Sequence, residues 1–351
     1  MRVRSIALVL LAAVCFGTTG TAQALGPDAD PASIGAARIL IGGAALAAVA
    51  GAVHLAGRRG VAAGTPRAPG AGVRGGSVVR GSAARSSAVR GERMPAWGLV
   101  LVGAAGVLAY QPAFFAGTAA NGVAVGTVVA LGSAPVITGL LDWLVSRRRP
   151  GRAWAVATAI ATAGVAILAF AQGDGGAAAE PLGLAASIGA GAAYAVYTLA
   201  SKALLERGWS PTGTMGWVFG LAAAGSLPVL LAGDTAWLAT GPGLATALWL
   251  GLVTTTLAYL LFAAGLRRLA PPVVATLTLA EPLTAGLLGV LLLHETLPAA
   301  AWLGLAVLAA GLAVLAAAAR PTRPVRSTRA VRSATAAEPV GRGGEDVGGS
   351  A

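Results

Sequence analysis

Charge is what this chain has least of: 11% of its 351 residues are Asp, Glu, Lys or Arg, against 56% hydrophobic. A water-soluble domain carries roughly 25% charged residues. Too little charge is present to coat a water-facing surface, which excludes a soluble enzyme and excludes disorder over most of the length. Cysteine is nearly missing as well. Cys15 stands alone, so there is no intrachain disulfide and no cysteine cluster for a metal. The two histidines, His54 and His294, fall near opposite membrane faces, and neither H-E-x-x-H nor a repeated Asp motif occurs. That leaves an integral membrane enzyme, such as a lipid-modifying transferase, as the alternative function without a metal centre to support it. No phosphate-binding loop of the type G-x-x-x-x-G-K-[ST] is present, which removes ATP as a direct energy source, and no filter motif suggests a channel. We expect no cofactor and no metal.

What the chain does have is long apolar runs. A bilayer core of about 30 Å needs roughly 20 apolar residues per helix, and ten such runs occur at about 5–25, 33–57, 96–116, 122–145, 153–172, 182–203, 212–232, 243–265, 272–293 and 299–319. Leu, Val and Ile are scattered among Ala and Gly with no period-2 alternation, which favours helices over an outer-membrane barrel. The expected fold class is an all-α integral membrane protein with ten transmembrane helices. The first run, preceded by Arg2 and Arg4 and followed by Ala22-Gln23-Ala24, also imitates a cleaved signal peptide. Removing it would leave nine spans and spoil the repeat described below, so it is retained as a helix.

Lys and Arg stay on the cytoplasmic side of a membrane. With the N-terminus inside, the inner segments hold Arg2 and Arg4, eight Arg from Arg58 to Arg93, Arg147 to Arg149 with Arg152, Lys202 and Arg207, Arg267 and Arg268, and six Arg from Arg320 to Arg342. These are 24 of the 25 basic residues, the exception being Arg38 inside the second run. The outer connections hold Asp28, Asp30, Asp174, Glu180, Asp234 and Glu295. Both termini are therefore expected in the cytoplasm and the protein in the cell membrane.

The runs also repeat. Leu108-Ala109-Tyr110 recurs as Leu257-Ala258-Tyr259, Pro135 as Pro282, Trp154 as Trp302 and Gly164 as Gly311, at offsets of 147 to 149 residues. Each half has five helices, and an odd number makes the second half enter the membrane upside down. Two inverted five-helix repeats around a site at the midplane are a recurrent design of secondary transporters. The repeats span 5–172 and 182–319. A basic loop at 58–95 interrupts the first, and a tail at 320–351 follows the second. Both are rich in Gly, Arg, Ser and Ala without apolar period and are expected to be disordered and cytoplasmic.

The second half carries Pro271-Pro272-Val273-Val274-Ala275-Thr276-Leu277, then Glu281-Pro282 and Leu291-Leu292-Leu293-His294-Glu295-Thr296-Leu297, with weaker signals in Phe16-Gly17-Thr18, Arg38 and Tyr194-Ala195. In these residues the chain resembles the ten-helix EamA group of the drug/metabolite transporter superfamily. The resemblance implies a transporter rather than an enzyme, and export rather than import. The family usually has an acidic residue just beyond helix 4, as Glu295 stands beyond helix 9, whereas this chain has Ser146 followed by three arginines.

Chemistry in a membrane is sought among its few polar groups, because an ionised side chain at the bilayer centre costs at least about 2.5–3.5 kcal/mol on insertion scales. Glu281 lies nine residues into the ninth run, near half depth at about 1.5 Å per residue. It is the candidate for proton or cation coupling, or for pairing a substrate ammonium group; the alternative is a protonated acid bonding a neighbouring helix. Pro135 and Pro282 are candidate helix breaks, since neither can donate to the carbonyl four residues back. Tyr110, Gln111, Tyr194, Tyr197 and Tyr259 are candidates to box and orient a substrate, and Asn121 and Thr255 could also face a cavity. Arg38 is shallow enough to snorkel, but turned inward it would attract a carboxylate, a role the family resemblance favours. Gly122-x-x-x-Gly126 and similar spacings permit close helix approach and a homodimer.

The expected partners are a small-molecule substrate, the bilayer and anionic lipids at the basic loops, each arginine near the surface contributing about 1 kcal/mol; nucleic acid is not expected. A reporter fused after Arg80 should be active in the cytoplasm and silent outside. Activity only on the outer side, or a mature chain beginning near Leu25, overturns this topology.

Overall fold

The computed structural model describes residues 2–62, 94–171 and 180–318. Among them every regular element is helical, and ten helices are long and apolar enough to cross a membrane: α1 (Val3–Ala24), α2 (Pro31–Ala56), α3 (Ala96–Val123), α4 (Val125–Ser146), α5 (Arg152–Phe170), α6 (Pro181–Glu206), α7 (Pro211–Ala232), α8 (Gly241–Leu266), α9 (Pro271–Leu292) and α10 (Ala299–Ala318). The arginine-rich stretch 63–93 and the tail 320–351 lie outside the described residues. Residues 58–62 of the expected loop instead continue the helix of α2 to Ala62.

Local chemistry sets the ends. Proline occupies the first turn of α6, α7, α8 and α9, where its missing N–H has no partner to lose. Ser210 and Thr240 cap α7 and α8 by accepting from the amides of Gly213 and Gly243, each such cap contributing about 1 kcal/mol. Between α3 and α4 there is almost no connection, because the chain reverses at Gly122 with φ 77° and ψ 157°. Gly122 is thus the turn itself, a backbone state closed to side chains. Gly126 alone makes the close approach expected of the pair, facing Thr118.

The packing follows the repeat. Helix α1 lies against α8 and α9, and its repeat mate α6 lies against α3 and α4; α2 runs along α7, and α5 crosses α10. Each half thereby lends its first helix to the other. The pseudo-two-fold axis can be checked atom by atom at the α5–α10 crossing, where Gly164 sits against the backbone of Leu308 and Gly311 against the backbone of Ala161. Adding 147 to 164 and 161 gives 311 and 308, so the two contacts are images of each other. The crossing is antiparallel and backbone to backbone, the arrangement that small residues permit where no hydrophobic effect drives helices together.

Large apolar side chains point outward along the bundle, with Val123, Val145, Leu182 and Leu231 each more than 70% exposed. Such a surface is stable in lipid and not in water. Charge separates by end. Arg147 to Arg149, Lys202, Arg207, Arg267 and Arg268 gather at one end, here the basic end, and Asp28, Asp30, Glu180, Asp234 and Glu295 at the other, the acidic end.

Replacing Gly164 by Leu forces a side chain into the Leu308 backbone and should destabilise the protein by about 1–3 kcal/mol, the usual range for overpacking. Gly20→Ala, at a glycine with nothing within 4 Å of an added Cβ, should leave the melting temperature in detergent unchanged. Equal melting shifts for the two variants would refute the close crossing.

Candidate functional site

Halfway along the bundle, on the axis relating the repeats, lies a cavity of about 70 Å³ lined by residues of α1, α2, α3, α4, α6, α8 and α9. Arg38, Tyr110, Gln111, Tyr194, Tyr197, Tyr259 and Glu281 all line it. The chain has four tyrosines in total, and every one of them is here. Tyr110 and Tyr259 are repeat mates, so the axis brings the same position of each half to one space.

Glu281 is placed by the break in α9. This span consists of Pro271–Leu277 and Ala280–Leu292, joined by a tight turn. Pro282 has no amide to offer the Thr278 carbonyl, and the Glu281 amide takes that carbonyl instead at 2.9 Å, while Leu279 N–H reaches back to Thr276 at 3.1 Å. These three-residue bonds narrow the helix and aim Glu281 into the cavity from the first turn of the second half-helix. The first repeat behaves differently. Helix α4 runs through Pro135 without non-helical backbone, so the expected break at Pro135 does not form. Ser133 and Thr138 on either side of the proline donate their hydroxyls to the Ala130 and Ala134 carbonyls.

Arg38 turns inward rather than snorkelling. Its Nε donates to Thr255 Oγ1 at 3.2 Å and its Nη2 to the Thr254 carbonyl at 3.3 Å. The acceptor is unusual backbone. Trp249–Leu257, in the middle of α8, is a π-helix, a form rare outside functional sites. Its cause is the run Thr254-Thr255-Thr256: the hydroxyls of Thr254 and Thr255 both donate to the Leu250 carbonyl at 2.8 and 2.9 Å, and that of Thr256 to the Gly251 carbonyl at 3.0 Å. Sequence reasoning missed this segment, although three adjacent threonines beside a glycine in an apolar run are a visible signal. Thr255 itself sits behind Arg38 rather than on the cavity wall. Glu281 shares the cavity with Arg38, yet the two form no ion pair within 4.0 Å, whereas Lys202 and Glu206 pair at 3.7 Å.

The tyrosines are tied to the frame. Tyr194 and Thr278 hydroxyls meet at 3.0 Å, and those of Tyr197 and Tyr259 at 3.3 Å. Tyr259 packs edge-on to Phe16 with centroids 5.0 Å apart, and Tyr194 packs likewise on Tyr197 at 5.1 Å. Asn121 is elsewhere. At the acidic end its amide exchanges hydrogen bonds with the backbone of Glu180, joining α3 to the start of α6.

Two further spaces flank the cavity. Toward the acidic end, an apolar pocket of about 130 Å³ shares Ile39, Val107 and Gln111 with it. At the basic end a vestibule of about 790 Å³, lined by Arg148, Arg149, Lys202 and Trp154 among others, shares no residue with it. Lys202 closes the basic end of α8 by donating to the carbonyls of Leu266 and Leu269 at 3.0 and 3.1 Å.

Ten apolar helices thus surround a small polar chamber, with wider spaces toward both ends. The residues 181–317 match the model of the EamA-like transporter family. The uncharacterized transporter YwfM of Bacillus subtilis (strain 168) is 39% identical over 307 residues, an alignment covering 87% of this chain and 91% of YwfM. The chain belongs to the EamA-like transporter family. A solved crystal structure 20% identical in sequence shares the fold, with a TM-score of 0.67 over 90% of this chain and 97% of that one.

A double-mutant cycle tests the Arg38 anchor without a substrate. Arg38→Met and Thr255→Val should show a coupling of about 1.5–3 kcal/mol in thermal or denaturant unfolding, the range for hydrogen bonds to a charged group. Additive effects would mean that the guanidinium is not held by α8.

Proposed function

We propose that the protein is a secondary transporter that exports a small metabolite, an amino acid or a drug-like compound across the cell membrane by alternating access, with Glu281 coupling proton or cation binding to substrate movement. The observation that carries this reading is the convergence of Glu281, Arg38 and all four tyrosines on one chamber lying on the axis between the halves. A site on that axis can be opened to either side by rocking the halves in opposite senses. At about 70 Å³ the chamber holds a few waters, whereas ligand pockets usually run from about 300 Å³ upward, so binding and release require the helices to part. The charge pattern supports a cytoplasmic basic end, with both termini inside. The direction of transport is supported by the family resemblance.

Glu281 stands at a hinge, ten residues into a 22-residue span, where a permanent charge is costly. In the proposed cycle it takes a proton when the chamber opens outward. The proton leaves, or is exchanged for a cationic group of the substrate, when the chamber opens inward.

A susceptibility and efflux screen in cells over- and under-expressing the protein should identify the substrate. With that substrate in proteoliposomes, Glu281→Gln, which keeps volume and hydrogen bonding but cannot ionise, should leave expression intact, abolish uptake driven by a proton gradient and spare substrate exchange. Normal gradient-driven transport with an unchanged pH profile would reduce Glu281 to a bond between helices. Hydrolytic or transferase turnover without any transport would replace the transporter reading altogether.

A further inference from the structure

The chamber shares Ile39, Val107 and Gln111 with the pocket toward the acidic end and no residue with the vestibule at the basic end, and between chamber and vestibule stands a small hydrogen-bonded cluster. Trp154 of α5 donates its indole N–H to both the Pro272 carbonyl at 2.9 Å and Thr276 Oγ1 at 3.0 Å. Thr158, one turn further along α5, meets the same Thr276 hydroxyl at 2.8 Å. The Trp154 ring also covers Gly139 of α4, so one side chain spans α4, α5 and α9. Trp154 and Pro272 line the vestibule, Thr276 is fully buried, and Thr278, two residues on, lines the chamber. The cluster therefore occupies the thickness between the two spaces, and it grips the first half-helix of α9, the part on the basic side of the Thr278–Leu279 turn.

The repeat supplies a comparison within the same molecule. At the offset of 147 displayed by the Gly164–Leu308 and Gly311–Ala161 contacts, the mates of Trp154 and Thr158 are Ala301 and Leu305, with Trp302 and Ala306 one residue further on, and the mates of Pro272 and Thr276 are Val125 and Val129. Trp302 is 46% exposed. None of Leu305, Ala306 and Val129 carries a hydroxyl, so a closed wall at the acidic end could gain at most one indole-to-carbonyl bond where the basic end has the full set.

We infer that Trp154, Thr158 and Thr276 form the gate at the basic end, and that its surplus of hydrogen bonds over the acidic-end counterpart makes the state closed to the cytoplasm and open toward the outside the resting state of the transporter. The inference rests on the alternating-access reading above and adds its internal bias. In a conformational exchange related by the pseudo-two-fold axis, contacts common to both halves cancel, and only the differences between mates set the equilibrium. Two hydrogen bonds present on one side only, each shifting the population about fivefold, give a bias of about 25-fold.

The test uses the chain's single cysteine to advantage. In a Cys15→Ser background, Leu131→Cys places one thiol on the chamber wall, and a membrane-impermeant maleimide is applied to intact cells or to inside-out vesicles. The parent should label from the outer side, and at least about tenfold more slowly from the cytoplasmic side. Combining Trp154→Phe, which keeps an aromatic ring but lacks the indole donor, with Thr276→Val, which keeps the volume but lacks the hydroxyl, should move the ratio of the two rates about tenfold or more toward the cytoplasmic side. Thr276→Ser, which keeps the hydroxyl, should retain the parent's ratio, and so should Trp302→Phe. Trp154→Phe alone, checked for a monodisperse elution profile in detergent, gives an intermediate ratio if the double variant does not fold. A ratio unmoved by loss of the cluster, or a parent that labels faster from the cytoplasm, overturns the gate. Labelling needs no substrate. An unmoved ratio alongside abolished transport in Glu281→Gln removes the gate and leaves the coupling role standing, and a shifted ratio alongside normal transport in Glu281→Gln does the reverse.

Discussion

Inside a bilayer there is no water to accept a stray hydrogen bond, and nearly every departure from regular helix in this protein is a solution to that shortage. Where Pro282 removes a donor, the chain tightens by one residue and the Glu281 amide takes over the orphaned carbonyl. Where three threonines compete for backbone acceptors, α8 widens into a π-helix and leaves the Thr254 carbonyl able to receive Arg38. The first places Glu281 on the chamber wall, and the second holds Arg38 there from behind. The polar groups that the lipid would penalise most are gathered around one chamber, where Arg38 is bonded to α8, Tyr194 to Thr278 and Tyr197 to Tyr259.

The gross design was legible in the sequence. Run length and the distribution of arginine gave ten helices and two charged ends, because hydropathy and end charge act residue by residue. The 147–149 offsets anticipated an internal symmetry that the Gly164–Leu308 and Gly311–Ala161 contacts display directly. The residues of the chamber could be picked out for a related reason: a tyrosine, arginine or glutamate within an apolar run has few stable places to go. What escaped were features that depend on competition between neighbours. Pro135 and Pro282 look alike in sequence, yet only the second breaks its helix, and nothing in the local residue types said which would. Gly122 looked like a packing glycine and proved to be a turn, since the decision depends on where α6 and α4 leave room for the chain. The joining of Trp154 to Thr276 lies across 122 residues of chain, beyond the reach of any local pattern.

The fold is nearly symmetric and the chemistry is not. Arg38 and Glu281 have Ala185 or Ala186 and Ala134 near their mate positions, so each charged group belongs to one half only. In the proposed alternating-access cycle the repeats would supply two arrangements related by the axis, and the side chains that differ between mates would decide how unequal those arrangements are.

The exchange of first helices between the halves has a consequence for how the molecule is made. Helix α1 finds its partners in α8 and α9, which leave the ribosome only after most of the chain has been synthesised, whereas α6 meets α3 and α4 as soon as it is inserted. For that interval α1 must wait in the membrane with Thr18 and the small-residue face that will later receive α9 still turned toward lipid or toward whatever insertion machinery shelters it. The first half can therefore reach its native packing only when α6 arrives from the second, and the second only by retrieving α1. Neither half is an independent unit of assembly, although each has the outline of one.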